Sequence, residues 1–269
     1  MHAELRVIQV VGLVIVSHSA ELAAGVVELA REMGGGDVPI EAAGGLDDGS
    51  VGTDAARVQA AIERATSADG VLVLMDLGSA LMSAEMATEL LGGGDRVLLS
   101  EAPLVEGAVA AAAVARGGAS LEEVAAEARG ALAMKVSQLG AEAPAVEEAP
   151  AEAPLAGAEA RIPVVNEIGL HARPAALVVE LASRFDADLR LTKPGRPGQV
   201  SARSLTGLMT LGARLGDELV ASASGPQADE ALAALEALAR EGFGEGVAVA
   251  APAAAQPPAA PAAPEAAAK

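Results

Sequence analysis

Apolar and polar positions alternate in two rhythms along the chain. Gly12-Leu13-Val14-Ile15-Val16 is an unbroken apolar run of the kind that forms a strand buried on both faces, and it ends at Ser17-His18-Ser19. Helical spacing follows at Leu22, Val26, Leu29 and Met33 and stops at Gly34-Gly35-Gly36. A short strand is expected over 38–42, then a Gly/Asp-rich loop, then a helix capped by Thr53 that carries Val58, Ala61 and Ile62. A strand over 70–75 closes on Asp76-Leu77-Gly78-Ser79. The helix after it has its apolar positions at Leu81, Met82, Met86 and Leu90 and its cap at Ser79. A fourth strand over 96–99 leads to an alanine-rich helix opened by Pro103 and broken at Gly117-Gly118. Ser120-Leu121-Glu122-Glu123 reads as a capping box for a last helix to about Leu139. Such alternation implies an α/β unit, a parallel sheet covered on both faces, with function at the carboxyl ends of its strands.

The rhythm stops at residues 140–159, which are Ala, Glu and Pro with little else, and resumes in a different order. Strands are expected over 161–165, 188–192, 199–202 and 218–222, and helices over 172–183, 204–210 and 226–241, the last with Leu232, Leu235 and Leu238 inward. From Val247 the chain is Ala and Pro with almost nothing to bury, so disorder is expected. The domains are therefore 1–139 and 160–246, with a linker at 140–159 and a tail at 247–269. A linker of about 20 residues reaches roughly 65 Å when extended and spans about 25 Å as a flexible coil. It is expected to keep the two domains from forming one rigid body.

Composition narrows the chemistry. The 269 residues include no cysteine, so there is neither a disulfide framework nor thiolate catalysis. With His2, His18 and His171 the only histidines, a histidine-rich metal site is excluded, and no metal is expected. The net charge is −19, and the first 139 residues hold 8 Lys and Arg against 20 Asp and Glu. No concentrated positive patch is visible, so neither nucleic acid nor an anionic membrane is an expected partner. No apolar run approaches the roughly 18 residues of a membrane span, and Val7 to Val16 lacks the flanks of a signal peptide. A cytoplasmic protein is expected.

Two histidines stand where a nucleophile would be useful. In Gly169-Leu170-His171-Ala172-Arg173-Pro174-Ala175, Pro174 suits the first turn of a helix, which places His171 at the N-cap. Free N–H groups, that of Ala172 among them, and the positive end of the helix dipole attract phosphate there, and Arg173 adds a fork-shaped cation. His171 is then either a surface cap or a nucleophile with its phosphate cradle in place. His18 follows the first strand and Asp76 ends the third. A carboxylate on one ring nitrogen would fix the tautomer and free the other to attack, with Ser19, Gly78 and Ser79 nearby to hold a phosphate.

The motif GLHARPA resembles the active-site signature of HPr, the histidine phosphocarrier of the bacterial phosphotransferase system, and the likeness runs from about Arg161 to Glu245. GLVIVSHSAELAAGV and GVLVLMDLGSALMSAEMA, within Gly12 to Leu139, resemble the phosphoryl-donor subunits of phosphoenolpyruvate-dependent dihydroxyacetone kinase, whose first domain is similar to the mannose-type IIA domain. Ser-His-Ser stands where mannose-transport relatives typically carry Thr-His-Gly. The resemblance implies an open-faced β-sandwich for the second domain and a homodimer through the first. It implies phosphohistidines at His18 and His171, with Asp76 and Arg173 assisting, and no permanently bound cofactor. Arg203-Ser204 falls where some HPr proteins carry a regulatory serine; Ser204 is otherwise a helix cap. The implied function is a relay in which Enzyme I phosphorylates His171, His171 phosphorylates His18, and His18 phosphorylates ADP held on the ADP-binding kinase subunit. The dihydroxyacetone-binding subunit is a further partner. Some relatives carry a truncated Enzyme I domain after the HPr domain; with only an Ala/Pro tail here, a separate Enzyme I is expected. The alternatives are a IIA–HPr fusion serving a mannose-type sugar phosphotransferase system and a regulatory protein read by its phosphorylation state.

Overall fold

The computed structural model describes residues 10–92, 96–138, 157–196 and 198–247. His2, most of the linker (139–156) and the tail beyond Val247 lie outside the described residues, and with them the expectations of disorder.

The first domain is the expected parallel α/β unit. Strands β1 (Gly12–Ser17), β2 (Ile40–Gly44), β3 (Val71–Met75) and β4 (Val97–Ser100) form one sheet in the order β2-β1-β3-β4, every neighbouring pair parallel. Helices α1 (Ala20–Gly34), α4 (Leu104–Arg116) and α5 (Leu121–Gly130) share one core with Leu13 and Ile15 of β1. Helices α2 (Ala55–Ala65) and α3 (Gly78–Leu90) share the other with Val14 and Val16. Successive β1 residues thus feed opposite cores, which is why that run carries no polar residue before Ser17. Gly44, ending β2, lies so close to the start of α1 that a Cβ on it would come 2.7 Å from the Ser19 carbonyl oxygen.

Several local expectations change. The second strand starts two residues later than expected, at Ile40. Asp54, not Thr53, caps α2 by accepting from the Arg57 N–H, while the Thr53 hydroxyl meets Ser83 Oγ at 2.8 Å. The Ser120 capping box is present, but the helix it opens breaks at Ala131, and α6 (Leu132–Gln138) is a separate element. Helix α3 buries Ala80, Ala84 and Ala87 and turns the apolar positions of its pattern, Leu81, Met82, Met86 and Leu90, outward. Alanines let α3 lie close against α2 and the sheet, and the longer apolar side chains take the opposite face.

The second domain is an antiparallel sheet in the order β5-β8-β6-β7, built from β5 (Ala158–Pro163), β6 (Asp188–Thr192), β7 (Val200–Ser201) and β8 (Glu218–Ser224). Helices α7 (Ala172–Ser183), α8 (Leu205–Thr210) and α9 (Ala228–Arg240) complete it, with α9 resting on β5, β8 and β6. β5 begins at Ala158, inside the stretch assigned to the linker. Leu232 and Leu235 of α9 are buried and Leu238 is partly so.

The two domains touch. α7 and α8 lie against α4, α5 and α6, and the apolar cluster under α4 is continuous with the core of the second domain. The linker's composition does not prevent a specific contact between the domains it joins.

Candidate active sites

His18 follows the last residue of β1, and Asp76 the last residue of β3, its neighbour in the sheet. The side chains meet because both leave the carboxyl edge. Asp76 Oδ1 lies 2.8 Å from His18 Nδ1 and accepts from the Leu77 N–H at 2.6 Å. Asp76 Oδ2 accepts from the Ser17 hydroxyl at 2.8 Å and from the His18 N–H at 2.9 Å. Burial opposes ionisation of this carboxyl. The donors from the His18 and Leu77 main chain, the Ser17 hydroxyl and the His18 ring outweigh it, and the group is held below the usual carboxylate range.

An ionised carboxylate only accepts, so Nδ1 carries the ring proton and Nε2 keeps its lone pair in the neutral ring. Nε2 meets the Ser79 hydroxyl in a short contact. Leu77, which has no capping side chain, is the N-cap of α3, and Ser79 is in its first turn. The expected cap role of Ser79 is thereby replaced: its hydroxyl is free for the histidine. The N–H groups of Gly78 and Ser79 belong to the unpaired first turn and are available to an anion on Nε2. Ser19 does not join them. Its hydroxyl caps α1 by accepting from the Leu22 N–H, and its own N–H donates to Ser17 Oγ at 3.1 Å. The His18 side chain is 20% exposed, enough for a reacting partner to reach it.

The second site is built around His171, the N-cap of α7 as expected. Gly169 makes the preceding turn with φ +83°, where a Cβ would come 2.2 Å from the Ala213 carbonyl oxygen, so only glycine fits. His171 Nε2 meets Glu245 Oε1 at 2.8 Å, and Glu245 Oε2 accepts from Asn166 Nδ2 at 2.8 Å. The same Asn166 amide donates to the Gly169 carbonyl, bracing the turn. Here the carboxylate takes Nε2, so the lone pair is left on Nδ1, the nitrogen beside the main chain. The N–H groups of Ala172 and Arg173 lie in the unpaired first turn of α7. Arg173 is exposed and makes no ion pair among the described residues. Ser204 caps α8, accepting from the Gly207 N–H at 2.9 Å. Arg203 donates to the Phe185 carbonyl at 2.9 Å.

Sequence reasoning missed Glu245 and Asn166. Neither belongs to a local motif, and Glu245 reaches the ring only because the chain after α9 turns back with the fully buried Phe243 at φ 53°. Among the described residues no three His, Cys, Asp or Glu converge, and no helix is long and apolar enough to cross a membrane.

Comparison with known proteins assigns both halves. Residues 12–125 match the family model described as the PTS system fructose IIA component, and residues 158–241 that of the PTS HPr component phosphorylation site. The chain is 46% identical over 242 residues to the phosphoryl donor subunit DhaM of PEP-dependent dihydroxyacetone kinase of Pantoea ananatis, covering 87% of this chain and 51% of that protein. It is 40% identical over 113 residues to the phosphotransferase subunit DhaM of the PTS-dependent dihydroxyacetone kinase of Lactococcus lactis, covering 42% of this chain and 89% of that one. The chain belongs to the DhaM family. Its second domain is similar to phosphocarrier protein HPr of Cupriavidus necator, 40% identical over 83 residues, which are 31% of this chain and 91% of that protein. The chain spans about half the length of the DhaM relatives that it matches over both domains.

Proposed function

We propose that this chain is the phosphoryl relay of a phosphoenolpyruvate-dependent dihydroxyacetone kinase. The observation that carries the reading is the pairing of two similar sites on one chain. Each has a histidine with one nitrogen held by a carboxylate and the other close to the N-terminal turn of a helix. Nδ1 of His171 attacks the phosphorus of a phosphohistidine on Enzyme I. The new N–P bond forms as the old one breaks, and its electron pair stays on the donor ring. The accepting ring keeps its proton on Nε2, and the Glu245 carboxylate balances the positive charge that arises. Nε2 of His18 then takes the group in the same way, with Asp76 as its counter-charge. From there the group passes to ADP on the ADP-binding kinase subunit and on to dihydroxyacetone. No cofactor resides on this chain, and the relay operates in the cytoplasm.

The outward row Leu81, Met82, Met86 and Leu90 supports a homodimer through the first domain, because a large apolar stripe is costly to leave in water. Sedimentation equilibrium of the full chain checks this: a dimer is expected, with Met82→Glu shifting it toward monomer.

The relay is tested with radiolabelled phosphoenolpyruvate, Enzyme I, the two other kinase subunits and dihydroxyacetone. His171→Ala is expected to leave both domains unlabelled unless free HPr is added. His18→Ala is expected to leave a stable label on His171 and no dihydroxyacetone phosphate. Label on His18 in the His171→Ala chain without added HPr overturns the order.

A further inference from the structure

Helix α4 carries no polar side chain between Glu106 and Arg116, and Gly107, Ala108 and the residues from Ala110 to Ala115 are all buried. A helix on the surface of a domain keeps one polar face toward water, whereas one that is apolar all round is enclosed. Here α1 and α5 flank α4, the sheet lies beneath it, and α7 and α8 of the second domain lie against it as well. Polar contacts frame this seat. Arg116 pairs with Glu180 at 2.8 Å. Glu127 accepts from the Ser204 hydroxyl at 3.0 Å and from the Thr206 N–H. A cleft of about 470 Å³ lies between them, lined by Gly117, Glu127, Ser183 and Arg203 among others.

We propose that the α4–α5 face is the docking site of the chain's own second domain, and that the docked form is a resting state which must open before the phosphoryl group passes from His171 to His18. The contacts that hold the domains together use neither histidine. The ring partners of His18 are Asp76 and Ser79 of its own domain, and the ring partner of His171 is Glu245 of its own. Direct transfer needs both reacting nitrogens on opposite sides of one phosphorus, within about 3–3.5 Å of it. Docking stands on the contacts alone; the need to open rests on the relay reading.

The chain's lack of cysteine makes a clean test available. A Cβ built on Gly117 lies 3.2 Å from the Ser183 Cβ, close to the spacing of a disulfide, and Gly117 has φ −74°, which any residue adopts. In the full chain, Gly117→Cys with Ser183→Cys is expected to oxidise within one molecule at a rate independent of protein concentration. It should exceed the rate of a Gly117→Cys, Asp229→Cys control by about tenfold or more, as a held pair has a higher effective concentration. Glu127→Ala in the same pair should slow closure. No disulfide, or a rate proportional to concentration, overturns intramolecular docking; an unchanged rate with Glu127→Ala overturns the part given to Glu127.

With Enzyme I and phosphoenolpyruvate, the oxidised chain is expected to take label on His171 and to lose about tenfold or more of the labelling rate at His18, restored by reductant. Equal labelling of His18 in the locked and reduced chains overturns the need to open. Failure of His171 to label even when reduced counts against the relay reading and leaves docking standing.

Discussion

Glu245 Oε1 lies 2.8 Å from Nε2 of His171, though 74 positions separate them in the chain. Asp76 meets the other nitrogen, Nδ1, of His18 at the same distance. The two sites therefore present opposite ring nitrogens, Nδ1 in the second domain and Nε2 in the first. Glu245→Ala should release the His171 tautomer, seen as a mixed nitrogen-15 pattern in place of a single Nε2–H form. Phosphorylation by Enzyme I should slow by roughly tenfold, and Glu245→Gln, which still accepts a hydrogen bond, should recover part of the loss. An Nδ1–H signal in the native chain would falsify the assignment.

Asp76 gives the pH dependence. Its carboxyl is held below the usual range in the folded chain, so the unfolded chain binds its proton more tightly. The stabilisation is full above the unfolded value of about 3.9 and is lost as pH falls through the lower folded value. Urea titrations of native chain and Asp76→Asn should show a constant gap from pH 8 to about 5 that narrows below about 4. A gap that instead narrows between pH 8 and 6 would point to a group other than Asp76.

Ser79 donates to Nε2 of His18 and stands in the first turn of α3. Ser79→Ala should leave folding intact and lower the rate of label transfer to His18 by about tenfold, short of the 10²–10³ that follows removal of a donor to a developing oxyanion. Quenched-flow labelling reads this directly, and wild-type rates would show that the hydroxyl is a bystander.

Gly169 carries the turn before His171. Ala in its place would meet both the positive φ and the Ala213 carbonyl oxygen 2.2 Å away. The expected cost is about 2–4 kcal/mol, read as a lowered midpoint in calorimetry, with the first domain's sheet retained. Phe243→Ala, which empties a fully buried position at the base of the segment bearing Glu245, should cost about 3–5 kcal/mol.

What the sequence made legible was local. The Pro174 signal placed the start of α7 and the His171 cap, the apolar run placed β1, and Ser120 with Glu123 marked a capping box that is present. What stayed hidden depends on distance or direction. Glu245 is brought to its ring by the turn after α9, which no spacing rule registers. The facing of α3 does not follow from its apolar spacing, because close packing selects the smaller alanine side chains for the inside. The break at Ala131 had a signal in Gly130, outweighed by the helical pattern on either side.

The alanine lining of α4 also sets how readily the domains part. An alanine contributes a single methyl to an interface, of the order of 0.8 kcal/mol at most for a group of that size when buried, against 1.5–3 kcal/mol for a leucine or valine. A seat made mostly of alanine methyl groups, with Val114 at its edge and rimmed by Arg116 and Glu127, leaves, once vacated, few large apolar side chains for another protein to seize. The carrier can thus leave its own scaffold repeatedly without the open form becoming adhesive, and return by the same short route.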